Sequence, residues 1–497
     1  MFRVKITIVS IWVIAAVQPL LCQKVEVEWD KVNRVSVTTP TLQVVVNPPL
    51  RRGSPIHDRV YSDLQKLGAD YVRYVPWLPY PKLGIAELEP PADGKTSWDF
   101  SLIDPMTIDF LNATRGHQVI LNFSTIPAWM FKTAKPVTYP QDPDQATWDY
   151  TQGNELRDPT MKELGDYFAR LVSWYTNGGF TDEFGKRHDS GHHFDIAYWE
   201  VLNEIDLERK PTPEQYVRWY DAIVSAIKKV SPTTKFVGLA LAYTAGDPQM
   251  FEYFLNPKNH QPGIPLDMIS YHFYAVPTPD QTPDIEQYTF FDQADRFIAT
   301  VRYIEAIRQR LSPATRTTVD EIGSISAEDL SQGQPGHVEK PISNSYWHLS
   351  GATYAYVFGN LASLGIDVLG ESQLVGYPTQ FPSVSMVDWN TGAPNARLRI
   401  LELLKSNFAS GDKIVETKVD AKGSPDVYAL GFVTKSGEHK LLLVNKRDRD
   451  INVTLSQPGK QVQFVNQVTM AAPPPTQPLS GEAVQLHGLE VSVVTLQ

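Results

Sequence analysis

The feature that most restricts this chain is an alternation. From about residue 55 to 405, short β-branched or apolar runs take turns with longer amphipathic segments, as repeated β/α units require. The strand candidates are "LQVVVNP" near residues 40–50, "ADYVRYV" (69–75), "HQVILNFS" (117–124), "FDIAYWEVLN" (194–203), "KFVGLALA" (235–242), "LDMISYHFY" (266–274), "TRTTVDEIG" (315–323) and "GIDVLG" (365–370). Helical spacing is clearest from Pro213 to Val230, where Tyr216, Val217, Tyr220, Ile223, Val224 and Ile227 recur on one face, Thr212 stands as N-cap and Ser231-Pro232 ends the run. Eight such units close into a (β/α)8 barrel, expected here over residues 45–408, with any active site at the C-terminal ends of the strands.

After about Ala409 the helical period stops. Residues 425–456 and 488–497 read as hairpin strands with Ser436-Gly437 at a turn, so 409–497 is expected to form an accessory β-sandwich. The alternating segment "KVEVEWDKVNRVSV" (24–37), within residues 23–44, has the pattern of a further strand for it. Residues 1–22 read as an export signal: Arg3 and Lys5 precede the apolar stretch Ile6 to Val17, which falls short of the roughly 20 residues that span a bilayer. The expected destination is the periplasm or the outside of the cell. Cys22 is the only cysteine, and Leu21 before it is bulky where a lipid-anchoring signal prefers a small residue. Acceptor triplets for N-glycosylation begin at Asn112, Asn122 and Asn452.

Composition narrows the chemistry. A formal charge of −11 provides no basic stripe, which argues against nucleic acid or an anionic membrane as partner and for a neutral substrate. The eleven histidines form no metal-binding motif, and "HDSGHH" (188–193) reads as a solvated loop. No metal or cofactor is expected.

Two carboxylates stand out. "YWEVLNE" runs apolar and then sets Asn203 and Glu204 at a strand end, and "TTVDEIG" does the same with Glu321. Glutamates on strands several units apart can meet across a barrel mouth, and glycoside hydrolysis uses such a pair, one protonated and one ionised. Strand-end glutamates also cap helices or pair with arginine. Glu200 and Asp320, neighbours of these glutamates, are expected to alternate to the opposite side and to be structural.

"WEVLNE" with its following helix and strand, then "DMISYHFYA" and "TTVDEIG", resembles the retaining (β/α)8 glycoside hydrolases of clan A, and within that clan glycoside hydrolase family 39, the β-xylosidases and α-L-iduronidases. The resemblance implies that Glu204 is the general acid/base, Glu321 the nucleophile, and Asn203 a partner of the sugar 2-hydroxyl. It also brings His272 and Tyr274 to the sugar or the nucleophile. Arg73, Trp77 and Trp129 are further substrate-binding candidates, Arg73 by fixing a carboxylate and Trp129 by stacking on a sugar face. Clan members often place Trp before the Asn and Pro after the Glu, where this chain has Leu202 and Ile205, and "VLGESQLVGY" offers Glu371 and Gln373 in place of a Trp from strand eight. The expected activity is therefore a secreted, exo-acting retaining glycosidase of β-xylosidase type, with walls from the long loops 131–157 and 275–292. Arabinofuranosidase activity, a carbohydrate-binding barrel without turnover, and an exported adhesive protein are the other readings.

Overall fold

A computed structural model describes residues 22–497 apart from 149–152, 245–247, 279–280, 328, 330–340, 379, 422–424 and 470–471; of Cys22 and Pro283 it describes only the backbone. The export-signal expectation lies outside the described residues except for Cys22. Among the described residues, no helix is long and apolar enough to cross a membrane.

Eight parallel strands close into a barrel: β1 (Thr39–Val45), β2 (Val72–Val75), β3 (Val119–Leu121), β4 (Tyr198–Glu200), β5 (Lys235–Leu241), β6 (Met268–Ala275), β7 (Arg316–Ser324) and β8 (Val368–Glu371). The chain is thus a (β/α)8 barrel, and its first strand begins at Thr39, ahead of the expected start at residue 45. Helices cover the outside because their apolar stripes need the strands' outer faces. Helix Pro213–Val230 shows the logic: Thr212 and Gln215 form a reciprocal capping box, and Tyr216, Tyr220, Ile223, Val224 and Ile227 are buried. The Tyr216 hydroxyl then donates to Val201 O at 3.1 Å and accepts from Leu239 N at 2.6 Å, which ties this helix to the strand ends beneath the barrel mouth.

A seven-stranded sheet forms the accessory domain, in the order Cys22–Val35, Lys413–Asp420, Val427–Val433, His439–Asn445, Val491–Leu496, Ile451–Val465, Thr476–Leu486. Cys22–Val35 also pairs in parallel with Ile451–Val465, so the sheet folds back on itself around Val25, Val427, Leu443, Val453 and Leu486. Its other face, with Phe432, Leu442 and Val493, belongs to the same apolar core as the barrel helices, and the rings of Phe408 and Phe432 meet at a tilt, 4.3 Å between centroids. Burial of this seam holds the sheet against the helices Asn344–Leu364 and Ala396–Asn407.

Candidate active site

Strict alternation would send adjacent strand residues to opposite faces. The backbone breaks that rule where it matters. Leu202 (φ 67°) and Glu204 (φ 42°) are left-handed, a strained choice for non-glycine residues, and together they turn both Asn203 and Glu204 toward the barrel axis. On β7 the register against β6 shifts between Thr318 and Glu321, so Asp320 and Glu321 both reach the interior. Glu200 also faces inward, and the expectation that Glu200 and Asp320 point away from the site is corrected: both meet Arg73 beneath it.

Arg73 on β2 is the hub. Completely buried, it donates from Nε to Glu200 Oε2 (2.5 Å), from Nη1 to Gln43 Oε1 (2.7 Å) and Glu321 Oε1 (2.5 Å), and from Nη2 to Asn203 Oδ1 (2.6 Å). It therefore fixes carboxylates from below and does not line the pocket, a correction to its place among substrate-contacting residues. The second oxygen of Glu321 accepts from the Tyr274 hydroxyl at 2.5 Å, and that hydroxyl also lies 2.6 Å from Ser372 Oγ. His272 Nδ1 bonds Glu204 Oε1 at 2.9 Å and stands 3.7 Å from Glu321 Oε2, while its Nε2 faces Asp320 Oδ1 at 3.4 Å. One oxygen of Glu204, one of Glu321 and a ring nitrogen of His272 all lie within 4.8 Å of one another. This trio is the one cluster of possible metal ligands among the described residues, and its imidazole nitrogen is already engaged with Glu204.

Charge in this dry cluster is balanced by protons. Burial raises the Glu204 carboxyl above the ordinary range, against the pull of His272, and the negative Glu321 nearby adds to the rise. Burial opposes a charged His272, yet Glu321, Asp320 and Glu204 outweigh it and hold the ring well above its usual value, as an imidazolium. Burial pushes Glu200 up to about 8, against Arg73. Asp320, despite its burial, is held well below the usual carboxylate range by Arg73 and His272. Glu200 Oε1 and Asp320 Oδ2 have no hydrogen-bond partner, and the neighbouring Asp320 adds to the rise at Glu200. Arg73 and His272 thus face four carboxyl groups, Glu200, Glu204, Asp320 and Glu321, and burial favours the protonated form at Glu200 and Glu204.

Above the cluster opens a cavity of about 450 Å³, lined by Asn203, Glu204, His272, Tyr274, Glu321 and Trp77 among others. Trp77 Nε1 donates to Glu208 Oε1 at 2.6 Å, and its ring meets Trp148 edge-on at 5.3 Å, so the loop 131–157 does contribute to the surroundings of the pocket. Burial pushes Glu208 up to about 8, with the Trp77 bond opposing. Trp129 is elsewhere: its indole donates to Glu87 O at 2.9 Å under the guanidinium of Arg157, so its expected stacking role is corrected. Of the two residues offered by β8 and its end, Gln373 lines the pocket, whereas Glu371 turns back to Arg397. Asn122 is also buried, donating to Glu200 at 2.6 Å, which removes it as a glycan acceptor. His188, His192 and His193 bond three separate partners and share no site.

Gln43, Glu208 and Ser372 were not singled out from sequence. Gln43 is the one polar residue in the apolar run "LQVVV", and Glu208 follows Glu204 by one helical turn, which are signals of a kind. Ser372 carries none.

No protein-family model matches the chain, and no curated protein is similar to it. Solved structures are. The GH51 arabinofuranosidase from Xanthomonas axonopodis pv. citri superposes with a TM-score of 0.64 at 13% identity, over 96% of this chain and 100% of that one. A glucosidase from Croceicoccus marinus gives 0.59 at 14% identity, over 96% and 99%. The GH30 endoxylanase from Clostridium papyrosolvens C71 gives 0.56 at 12% identity, over 95% and 100%. At these identities the likeness shows a shared fold of barrel plus β-sheet domain.

Proposed function

We propose that this chain is an exported, retaining glycoside hydrolase that releases terminal sugars from oligosaccharides, glycosides or polysaccharide side chains. The observation that carries the proposal is that one oxygen of Glu204 and one of Glu321 lie within 4.8 Å of each other at the barrel mouth. Retaining pairs stand roughly 5–5.5 Å apart and inverting pairs about 6.5–9.5 Å, so the gap suits direct attack by a carboxylate better than a water held between two.

In the first step Glu321 bonds to the anomeric carbon as the bond to the leaving oxygen breaks, and that oxygen takes the electron pair and the Glu204 proton. In the second, water attacks the anomeric carbon and gives its proton to Glu204, and Glu321 departs as a carboxylate. The surroundings favour those roles. Arg73 and Tyr274 donate to both oxygens of Glu321, as befits an anion, and burial favours the protonated form of Glu204. Asn203, held by Arg73, has its amide group at the pocket beside Glu204, where a sugar hydroxyl would meet it.

The glycone is proposed to be a pentose, with β-xylosidase activity as the resemblance to family 39 implies. An arabinofuranosidase is the second reading, favoured by Gln373 standing in the pocket where a flat Trp floor would suit a pyranose, and by the arabinofuranosidase among the structural neighbours. A panel of aryl pentosides, hexosides and uronides, run beside Glu321→Ala with and without azide, tests this. One glycoside cleaved, a dead variant and rescue as a glycosyl azide of inverted configuration fix glycone and nucleophile together. A Glu321→Ala protein as active as the parent would refute the assignment.

A further inference from the structure

Two polar residues, Gln43 on β1 and Ser372 just past β8, are fully buried behind the cavity and do not line it. Both are bonded toward Glu321. Gln43 Nε2 donates to Ser372 Oγ at 2.6 Å, Ser372 Oγ lies 2.6 Å from the Tyr274 hydroxyl, and that hydroxyl donates to Glu321 Oε2 at 2.5 Å. At its other end Gln43 Oε1 accepts from Arg73 Nη1 at 2.7 Å, and the same nitrogen donates to Glu321 Oε1 at 2.5 Å. The chain of bonds is a closed ring that leaves Arg73 and returns to it through both oxygens of Glu321.

The two charged members set the direction of every bond. A guanidinium only donates, so Gln43 turns Oε1 toward Arg73 and its NH2 group toward Ser372. A carboxylate only accepts, so Glu321 takes the single proton of the Tyr274 hydroxyl. The contact between Ser372 and Tyr274 is then made by the serine proton. A hydroxyl that accepts a bond becomes a better donor to the next group, because hydrogen bonds in a chain polarise one another.

The backbone places these groups. Ser372 N donates to Ile322 O and Leu374 N to Gln43 O, both at 2.9 Å, which ties the end of β8 to β7 and β1. Gly323 leaves the room: a Cβ there would lie 3.1 Å from Tyr274 Cε1 and 3.2 Å from Ser372 O, tighter than carbon ordinarily packs.

Resting on the glycosidase reading above, we propose that Ser372, backed by Gln43, is a positioning residue that directs and strengthens the Tyr274 bond to Glu321 and so speeds the departure of Glu321 from the glycosyl-enzyme. In that intermediate one Glu321 oxygen is bonded to the anomeric carbon and the carboxyl group carries no charge. As water attacks and gives its proton to Glu204, the carbon–oxygen bond breaks and its electron pair returns to Glu321. A strong donor at the carboxylate favours this second step, where charge appears, and not the first, where charge is lost.

The test separates the two steps. With an aryl glycoside of an acidic phenol, whose first step is fast, kcat reports the second step and kcat/KM the first. Ser372→Ala is expected to lower kcat by roughly two- to tenfold, the factor that one hydrogen bond implies, and to lower KM with it. The ratio kcat/KM should change little, and the burst of released phenol should grow. Ser372→Cys keeps the shape with only a weak donor and should fall between. In a Tyr274→Phe background Ser372→Ala should cost nothing further, because its effect passes through the phenol. A fall in kcat/KM as large as that in kcat, or losses that add in the double variant, overturns the proposal. Proton NMR of the free protein needs no turnover. The Tyr274 hydroxyl proton, held between two oxygens, should give a downfield resonance that vanishes in Tyr274→Phe and moves upfield in Ser372→Ala. That shift with no glycoside cleaved would leave the relay standing and sink the glycosidase reading alone; an absent or unmoved resonance overturns the relay.

Discussion

Among the described residues, two arginines are wholly buried in this barrel, and they do different things. Arg397, on the helix Ala396–Asn407, donates from Nε to Glu371 Oε1 at 3.0 Å and spends its other nitrogens on the carbonyls of Val384 and Ser372. Arg73 gives its donors to side chains, two carboxylates and two amides, one of which is the pocket carboxylate Glu321. The first pins a loop behind β8, and the second sets the charge and position of groups that face the substrate cavity. A buried arginine by itself thus marks no active site. What distinguishes Arg73 is that its partners open onto a cavity and outnumber it in charge, so that protons have to be shared.

The largest effect expected from breaking the Arg73 cluster is at its exposed end. Glu204→Gln should lower turnover of alkyl glycosides by about 10²–10⁴-fold, the usual share of a general acid, and of glycosides with acidic phenols by much less. Next come the arginines themselves. Arg73→Met and Arg397→Met should each cost about 3–5 kcal/mol of stability in urea unfolding, since each strands a buried carboxylate. Only the first should also lower turnover in the fraction that remains folded, by less than Glu204→Gln does; equal kinetic loss in both would erase the difference between the two arginines.

Acidity sharpens the comparison further. Glu204 must carry a proton to act, so kcat/KM should fall as pH rises through its raised value. His272 stabilises the Glu204 anion by its hydrogen bond, so His272→Asn should move that basic limb to higher pH. The smallest kinetic effect is expected from Glu200→Gln, because a neutral amide replaces an already neutral acid. Asp320→Asn, which removes the anion between His272 and Arg73, should cost far more. In stability the Glu200 change does show. With its folded value near 8 and an ordinary value of 4.5, Glu200 keeps its proton in the folded state where the unfolded chain has lost it. Its contribution is full below pH 4.5 and is lost as pH rises toward 8, with a slope of up to about 1.4 kcal/mol per pH unit. Glu200→Gln should remove that part of the slope, and an unchanged slope would mean Glu200 is ionised beside Arg73.

The barrel was legible because β/α repetition is written in hydrophobic periods, and the pair Glu204 and Glu321 because each ends an apolar strand. Asp320 was placed on the wrong face because alternation assumes a regular strand, and the register shift in β7 is not encoded by any glycine or proline between Thr318 and Glu321. Glu200 lies four residues before Glu204, so alternation itself puts both on the interior face, and the left-handed Leu202 and Glu204 bring Asn203 there as well. Trp129 misled because β3 ends at Leu121, after which the chain departs from the barrel mouth and turns at Ala128–Met130 toward Glu87. The balance of charge in the hub was not readable at all, since Gln43, Arg73, Glu200, Asp320 and Ser372 come from five separate strand ends and meet only in three dimensions.

The most direct test of the central claim, that Glu321 attacks the anomeric carbon with Glu204 as its acid, is the configuration of the first-formed sugar, followed by proton NMR on a cleaved aryl glycoside before mutarotation. The anomer released should match that of the substrate. Release of the opposite anomer would contradict direct attack and require a water between the two carboxyl groups.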